Sequence, residues 1–243
     1  AIPLAAHRDE LSGSLVVVGC PADEIHSPGT RAHGSGKANT ADAGTWDDVD
    51  VVLYPHPEFM DTVWPTSLWM RRETVTVVGR RTLRRDTSST PLEALAAIAA
   101  IGAEVDPARL IVESVRLDGD VEEGAGMVLE ASLLAFAETE DALESLVQDV
   151  RGRVDVEARW QTSAPIAAVR PDPEVTAIVG EAFAAAGRDF VAEPPALGFA
   201  TDFGNVSRVA RAAIVGVGRA EGWRYHTAAG AEEFAGPAGT ECA

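Results

Sequence analysis

Three short polar segments of the sequence carry residue types that can do acid–base or metal chemistry. Asp23 and Glu24 follow one apolar run, His56 follows a second, and His226 stands near the C-terminus. If the runs are parallel strands, the segments that follow them converge at one edge of the sheet. Two histidines and a carboxylate suit a divalent transition metal such as zinc, and a second carboxylate can serve as general base. Because these residues are far apart in sequence, turn-capping acids and solvated histidines explain the pattern equally well.

The elements that must position these segments are predicted from the apolar patterns on either side of the middle of the chain. Residues 15–19 and 49–54 are continuous apolar runs, typical of strands buried on both faces of a parallel sheet. A short helix is predicted near residues 37–43, and strands are predicted at 190–191 and 212–217. A helix is also predicted over 173–186, and its buried side is expected to carry Val175, Ile178, Val179, Ala182 and Phe183.

The middle of the chain combines periodicity with capping residues. Strands are predicted at 73–78, 110–117, 127–137 and 154–160. Thr90 and Thr139 are predicted to cap two helices, which are expected to end at Gly102 and Gly152. The resulting order, β-α-β-β-α-β, is typical of a ferredoxin-like domain.

The predicted architecture is an α/β domain that a ferredoxin-like domain interrupts. Residues 1–71 and 163–243 are expected to fold together, and residues 72–162 form the inserted domain. The chain has 243 residues, which is enough for this arrangement.

Composition excludes several classes of partner. The formal net charge is −18, and an acidic protein repels the phosphate backbone of nucleic acids. The longest apolar run, 94–101, is too short to span a bilayer. Two cysteines, one of them close to the C-terminus, favour a reducing cytoplasmic setting. We therefore expect a protein that acts on a small molecule or a peptide and contacts neither nucleic acid nor membrane.

Five segments, in the same order as in the family, resemble motifs of the zinc-dependent aminoacylase, carboxypeptidase and amidohydrolase family, peptidase family M20, in its dipeptidase-like amidohydrolase branch. The segment 16–24 (VVVGCPADE) resembles the strand and "PAEE" motif, and 34–37 (GSGK) resembles "GGGK". The segments 46–57, 201–207 (TDFGNVS) and 226–234 are similar to "FDDVDAALMxHP", "STDMGNVS" and "HTxxF". The resemblance covers nearly the whole chain, the inserted domain matching in architecture more than in residues.

The resemblance implies roles for individual residues. Asp23 stands at the family's general base, Glu24 and His226 at ligands of one metal, and His56 at a ligand of a second metal. The segment that contains Thr201, Asp202 and Asn205 stands where the family shapes its substrate pocket, and these three residues are expected to bind substrate. Family members hydrolyse amide bonds of peptides or N-acyl amino acids, and their ferredoxin-like domain serves as a lid and a homodimer interface.

The sequence also departs from the family pattern. The family's N-terminal third, which supplies further metal ligands, is expected before Ala1, so at most one metal site is expected. Asp23 replaces a glutamate, and the arginines of 79–85 stand where the family has a histidine.

Three hypotheses remain open at this stage. The chain is a metal-dependent amidohydrolase whose missing segment is supplied elsewhere, a shortened relative that serves as a non-catalytic partner subunit, or a metal-free relative that acts on a small metabolite in another reaction.

Overall fold

The computed structural model describes residues 8–10, 12–20, 35–80, 90–119, 125–219, 221–225, 227–237 and 239. The described chain forms a mixed α/β fold with two four-stranded sheets and six α-helices. The strands are β1 (Val52–Glu58), β2 (Asp61–Val63), β3 (Trp69–Arg80), β4 (Leu110–Gly119), β5 (Ala125–Ala137), β6 (Arg159–Thr162), β7 (Phe190–Val191) and β8 (Ala212–Gly218). The helices are α1 (Gly36–Asp42), α2 (Thr90–Glu104), α3 (Glu140–Arg153), α4 (Pro173–Ala185), α5 (Phe203–Val209) and α6 (Ala228–Ala235).

The first sheet has the strand order β1-β8-β2-β7 and is mixed. β1 runs parallel to β8, whereas the short strand β2, which the sequence did not predict, runs antiparallel to β8 and parallel to β7. Pro55 and Pro57 are compatible with β1 because, among the described strands, β1 lies at the sheet edge, where a missing N–H costs no ladder bond. Parallel pairing sets His56 opposite Gly216, so the residues after β8 emerge beside the end of β1.

The predicted strand at residues 15–19 is wrong, although those residues are described. Leu15, Val16 and Val17 are 54%, 66% and 73% exposed, and only Val18 and Cys20 of this stretch pack against the core. β1 is also less buried than predicted, because Leu53 is half exposed. An apolar run becomes a strand only where a neighbour takes its hydrogen bonds, and in the described chain β1 pairs with β8 alone.

The second sheet has the order β4-β5-β3-β6, and all its neighbouring strands are antiparallel. The predicted element order β-α-β-β-α-β is confirmed by the sequence of elements from β3 to β6. Helices α2 and α3 pack on β3 and β5. The core between them is built from buried residues of 75–154, and partly buried residues from Trp69 to Trp160 pack against it. This core is separate from the core of the first sheet.

Capping was predicted better than helix ends. Thr139 accepts a hydrogen bond from Ala142 N at 3.2 Å, as the sequence predicts. Gly102 does not end α2, which continues to Glu104. A Cβ at Gly102 would lie 2.9 Å from Val112 Cγ2, so the glycine lets α2 approach β4 closely.

Helix α4 is capped by Asp172, whose carboxylate accepts from Glu174 N and Val175 N. Val175 and Val179 are buried against β2 and β8, as predicted, but Ile178 is 57% exposed. The helix therefore buries a narrower stripe than its apolar composition suggests. No helix in the described ranges is both long and apolar enough to cross a membrane.

Candidate functional site

His56 is held by a carboxylate two residues further along the same strand. Its Nδ1 lies 2.8 Å from Oε1 of Glu58, since positions i and i+2 of a strand share one face. Glu58 is buried, and Trp64 Nε1 donates to the same oxygen at 3.2 Å. A carboxylate at Nδ1 favours the tautomer with its proton there, which leaves the lone pair of His56 Nε2 for a metal or a substrate proton.

Tyr225 covers the His56–Glu58 pair from the segment after β8. Its ring stacks on the imidazole, with centroids 5.8 Å apart and planes inclined by 18°. Its hydroxyl donates to the carbonyl oxygen of Pro57 and lies 3.3 Å from Glu58 Oε2. Burial raises the pKa of Tyr225 well above its usual value of about 10, and the negative charge of Glu58 and the hydrogen bond to it add to the shift. The phenol is therefore a hydrogen-bond donor throughout the physiological pH range.

Asp202 lies at the centre of a buried polar cluster. Its carboxylate accepts hydrogen bonds from Ser35 Oγ and, at 2.9 Å, from Lys37 N, which is in the first turn of α1. Lys37 Nζ pairs with Asp202 Oδ1 at 2.9 Å and stands 4.8 Å from the ring centroid of Tyr54. Lys37 is the single lysine of the chain. This buried ion pair ties the start of α1 to the start of α5.

Thr201 and Asn205, the other two predicted substrate-binding residues, differ in their surroundings. Thr201 is buried and lines the same cavity as His56 and Asp202. Asn205 bonds instead to backbone: its Oδ1 accepts from Ala167 N at 3.1 Å, and its Nδ2 donates to Pro165 O at 3.3 Å. Its amide thus fixes the chain that follows β6.

Most of the segment 201–207 is helical. Helix α5 begins at Phe203, and Phe203 and Val206 are buried on one face of it. Phe203 and Val206 are three positions apart, a spacing that indicates one face of a helix.

A cavity of about 460 Å³ opens between the two sheets. His56, Glu58, Tyr225, Thr201 and Asp202 contribute to its wall from the first sheet and its connections. Most of the remaining lining is apolar and comes from both sheets. A cavity of this size, with a few convergent polar groups, has the typical character of a small-molecule site.

An ion pair from the second sheet completes the lining. Arg72 of β3 is buried and donates to both oxygens of Glu113, with Nε and one terminal nitrogen at 3.1 and 2.9 Å. Ser132 Oγ donates to Glu113 Oε2 at 2.9 Å. The register of β4 against β5 shifts between Val112 and Ser114, so Glu113 is the extra residue of a bulge. Bulges re-aim side chains in this way, here toward Arg72.

Three predicted site residues lie outside the described residues: Asp23, Glu24 and His226. The structure therefore tests neither the predicted general base nor two of the three predicted metal ligands. In the described ranges, no group of three or more His, Cys, Asp or Glu side chains is placed to hold a metal ion. His56 is the one predicted ligand whose environment is described, and a carboxylate-bound imidazole fits that role.

Sequence reasoning missed Glu58, Tyr225 and the Arg72–Glu113 pair. Glu58 carried a usable signal, because it stands two residues after His56 and side chains two positions apart share one face wherever the chain is extended. Tyr225 directly precedes His226, but no motif of the sequence indicates a role for it. Arg72 and Glu113 are 41 positions apart and meet through a bulge, which no local pattern indicates.

Comparison with known proteins identifies the fold. No protein-family model matches the chain, and no curated protein matches it significantly by sequence. Solved structures do match. A dinuclear metal-binding peptidase of the M20 family from Bacillus subtilis aligns over 93% of this chain and 62% of its own, with 16% identity and a TM-score of 0.62. An aminobenzoyl-glutamate utilization protein from Klebsiella pneumoniae aligns over 87% and 58%, with 17% identity and a TM-score of 0.63.

A proposed aminohydrolase from methicillin-resistant Staphylococcus aureus aligns over 92% of this chain and 63% of its own, with 19% identity and a TM-score of 0.57. The two sheets and their helices thus define a class, that of mixed α/β proteins with two separate sheets. Within that class, the chain has the fold of the M20 peptidases and amidohydrolases, which confirms at the level of fold the resemblance found in the sequence. It spans about three-fifths of the length of each of these structures.

Proposed function

We propose that the chain is a metal-dependent amidohydrolase or peptidase-like protein that acts on a small-molecule or peptide-like amide. The observation that carries this proposal is the His56–Glu58 pair at the wall of the cavity, with Nδ1 and Oε1 2.8 Å apart. The pair supplies an imidazole of fixed orientation beside a space large enough for a substrate.

The proposed metal, zinc or another divalent ion at no more than one site, is held by His56 together with residues outside the described ranges. The convergence of the strand ends makes Glu24 and His226 the further candidates at this site, whereas the family resemblance assigns them to a different metal from His56. Asp23 is the candidate base by resemblance. A divalent ion polarises a carbonyl oxygen and lowers the pKa of bound water. Within the chain, Glu58 orients His56, Tyr225 stacks on its imidazole, and Thr201 and Asp202 stand where a bound substrate would contact them.

The test measures metal content and hydrolysis together. The purified protein is loaded with zinc, its bound metal is quantified, and release of free amino acid from a panel of N-acyl amino acids and dipeptides is followed. We expect bound zinc and measurable hydrolysis, with kcat/KM reduced at least about 100-fold in His56→Ala, the range of a lost catalytic group. Glu144→Gln, a change at an exposed carboxylate of α3, serves as the control and should retain activity. A protein that neither binds zinc nor hydrolyses any member of the panel would contradict the proposal.

The alternative is a shortened, metal-free relative. The His56, Glu58 and Tyr225 side chains are linked by direct contacts that need no metal, so the same groups can serve proton transfer on a small metabolite in a different reaction. A second form of the alternative is a non-catalytic binding or partner subunit. Turnover of a metabolite by the zinc-free protein, unaffected by a chelator, would favour the first form, and the absence of any turnover would favour the second.

The domain assignment forms part of the proposal. Residues 72–162 form a ferredoxin-like lid, and residues 1–71 with 163–243 form the catalytic-type domain. Separate cores, with the sheet order β4-β5-β3-β6 in the insert, support this division. The cytoplasmic setting remains a prediction from the cysteine content.

We further propose a homodimer that forms through the lid. β4 is an edge strand of the second sheet, and it exposes Ile111, Val115 and Leu117 by 44%, 42% and 38%. An exposed apolar edge strand favours pairing with another strand. Light scattering after size exclusion should report a dimer that Val115→Lys dissociates and Ile178→Lys, on α4, does not. A wild-type monomer at all concentrations would exclude the dimer.

A further inference from the structure

We propose that the cavity between the two sheets binds a large, uncharged, apolar group of the ligand, aliphatic or aromatic, and discriminates against a carboxylate in the same position. The inference rests on the proposed function in one respect, namely that the apolar group is attached to an amide bond that the protein hydrolyses. Its physical basis is the composition of the cavity wall and the pairing of its charges.

The apolar part of the wall comes from both sheets. Met70 and Ile166 are buried, and Leu134 and Phe136 of β5 pack against them. All four side chains line the cavity, three of them from the second sheet and Ile166 from the segment after β6 that bridges to Met70. They offer a continuous apolar surface to which a ligand group can transfer from water, and burial of a side chain of leucine or phenylalanine size is strongly favourable.

The first sheet and its connections supply the opposite wall. Trp64 is buried, and Phe59 lies beside it with ring centroids 6.3 Å apart at 61°. Phe199 is 43% exposed and also lines the cavity. Aromatic side chains with partial exposure are suited to cover an apolar group that enters between the sheets.

The charges in the wall act against an anionic ligand group. The described lining residues include one arginine, Arg72, and three carboxylates, Glu58, Glu113 and Asp202. Lys37 offsets the charge of Asp202 at 2.9 Å, so Glu58 is the carboxylate whose charge acts most directly on a ligand. The positive charge of Arg72 is offset by the two-point hydrogen bond with Glu113, which Ser132 also holds in place. A carboxylate that entered the cavity would be desolvated next to like charges, which is unfavourable.

The size of the cavity sets the scale of the preferred group. About 460 Å³ lies within the usual range for small-molecule pockets. An acetyl group would leave most of the apolar wall uncovered, whereas a six-carbon chain or a phenyl ring would contact both sheets.

The experiment compares probes that differ only in this group. Hexanoyl, phenylacetyl, acetyl and adipoyl derivatives of glycinamide are made as ketone isosteres, in which a methylene replaces the scissile amide nitrogen, so binding is measured without turnover. Isothermal titration calorimetry should show that the hexanoyl and phenylacetyl probes bind at least about 10-fold tighter than the acetyl probe. The adipoyl probe has the same chain length as the hexanoyl probe but ends in a carboxylate, and it should bind at least about 10-fold more weakly than the hexanoyl probe.

Two variants, each with a matched control, test whether the cavity causes these differences in affinity. Ala200→Phe fills the cavity and should reduce hexanoyl binding about 10-fold, whereas Ala184→Phe on the exposed side of α4 should leave it unchanged. Glu113→Gln removes the carboxylate that neutralises Arg72, so the difference in affinity between the hexanoyl and adipoyl probes should become smaller. Glu144→Gln is the control and should leave that difference unchanged. Circular dichroism and thermal melting verify that each variant is folded.

The outcomes separate this inference from the proposed function. Tighter binding of the apolar probes by a protein that hydrolyses no amide would support the inference and overturn the proposed hydrolysis. Hydrolysis of amides together with equal or tighter binding of the adipoyl probe would overturn the inference and leave the proposed function intact. An Ala200→Phe protein that is folded and binds hexanoyl as well as the wild type would also overturn it.

Discussion

The imidazole of His56 and the carboxylate of Glu58 lie on one face of β1 with Nδ1 and Oε1 2.8 Å apart. The same carboxylate oxygen accepts a hydrogen bond from Trp64 Nε1, and the hydroxyl of Tyr225 lies near the other carboxylate oxygen of Glu58. The ring orientation of His56 is therefore fixed from within the protein, before any ligand binds at Nε2.

The first prediction is that Glu58→Gln weakens zinc binding. The amide can still accept a hydrogen bond from Nδ1, but it lacks the charge that raises the basicity of the imidazole. Loss of such a partner typically costs 10- to 100-fold in metal affinity, and we expect a change of about this size in a competition titration with a chelating dye. Glu144→Gln should bind zinc as the wild type does. Unchanged affinity in Glu58→Gln would show that Glu58 does not act through His56.

The second prediction concerns the proton of Tyr225. The chain has two tyrosines, so in Tyr54→Phe the tyrosinate absorbance reports Tyr225 alone. Because burial and the charge of Glu58 raise its pKa, the ionisation midpoint should lie above about 10, the value of a solvated phenol. Glu58→Gln in the same background should lower the midpoint, since the neighbouring negative charge is gone. A midpoint at the solvated value in both proteins would contradict the contact between Tyr225 and Glu58.

Local patterns predicted the second sheet better than the first. The capping threonine Thr139, the alternation in β3 and the apolar composition of β5 are local signals, and the element order that they predicted was confirmed. The first sheet depends on which strands pair. Residues 15–19 have the apolar pattern of a strand, yet they form none in the described chain because pairing is a long-range property.

The site shows the same division between local and long-range information. Motif resemblance indicated His56, Thr201 and Asp202, which share one cavity in the structure. It included Lys37 in the segment 34–37 but did not indicate that Lys37 pairs with Asp202, because the two residues are 165 positions apart in the sequence. Such contacts exist only once the fold has formed, and they decide the charge of the site.

The third prediction is that Gly204→Ala disrupts the wall of the cavity. A Cβ at this position of α5 would lie 1.6 Å from the carbonyl oxygen of Ala167, so α5 or the chain at 166–168 must move. Ile166 in that segment lines the cavity. We expect the free energy of unfolding in urea to fall by about 3 kcal/mol, the upper range for overpacking.

The matched control for Gly204→Ala is Gly152→Ala in α3. A Cβ at Gly152 would meet no atom within 4 Å, and alanine is the better helix former by up to about 1 kcal/mol. This change should be neutral or stabilising. Equal effects of the two substitutions would contradict the close approach of α5 to Ala167.

The fourth prediction uses pH to test the ion pair that fastens β2 to the end of β8. Burial acts to raise the pKa of Asp61, but hydrogen bonds from Arg188, at 2.6 and 2.7 Å, and from Gly218 N outweigh it and hold the pKa below its usual value. A carboxyl whose pKa is lowered by folding stabilises the protein above its unfolded pKa of about 3.9. That contribution is lost as the pH falls through the folded value.

Arg188→Met should therefore lower the free energy of unfolding by about 2 kcal/mol at neutral pH, an amount typical of a partly buried charged hydrogen bond. The difference from the wild type should shrink as the pH falls below about 4 and then through the lowered pKa of Asp61 in the wild type, below which Asp61 is protonated in both proteins. Urea unfolding at a series of pH values measures this difference.

Arg153→Met, which breaks an exposed pair with Glu104, is the control and should lower the free energy of unfolding by less than about 1 kcal/mol at every pH. A cost for Arg188→Met that does not vary with pH would mean that the arginine stabilises the sheet through its bond to Gly218 O and its packing, and not through the charge of Asp61.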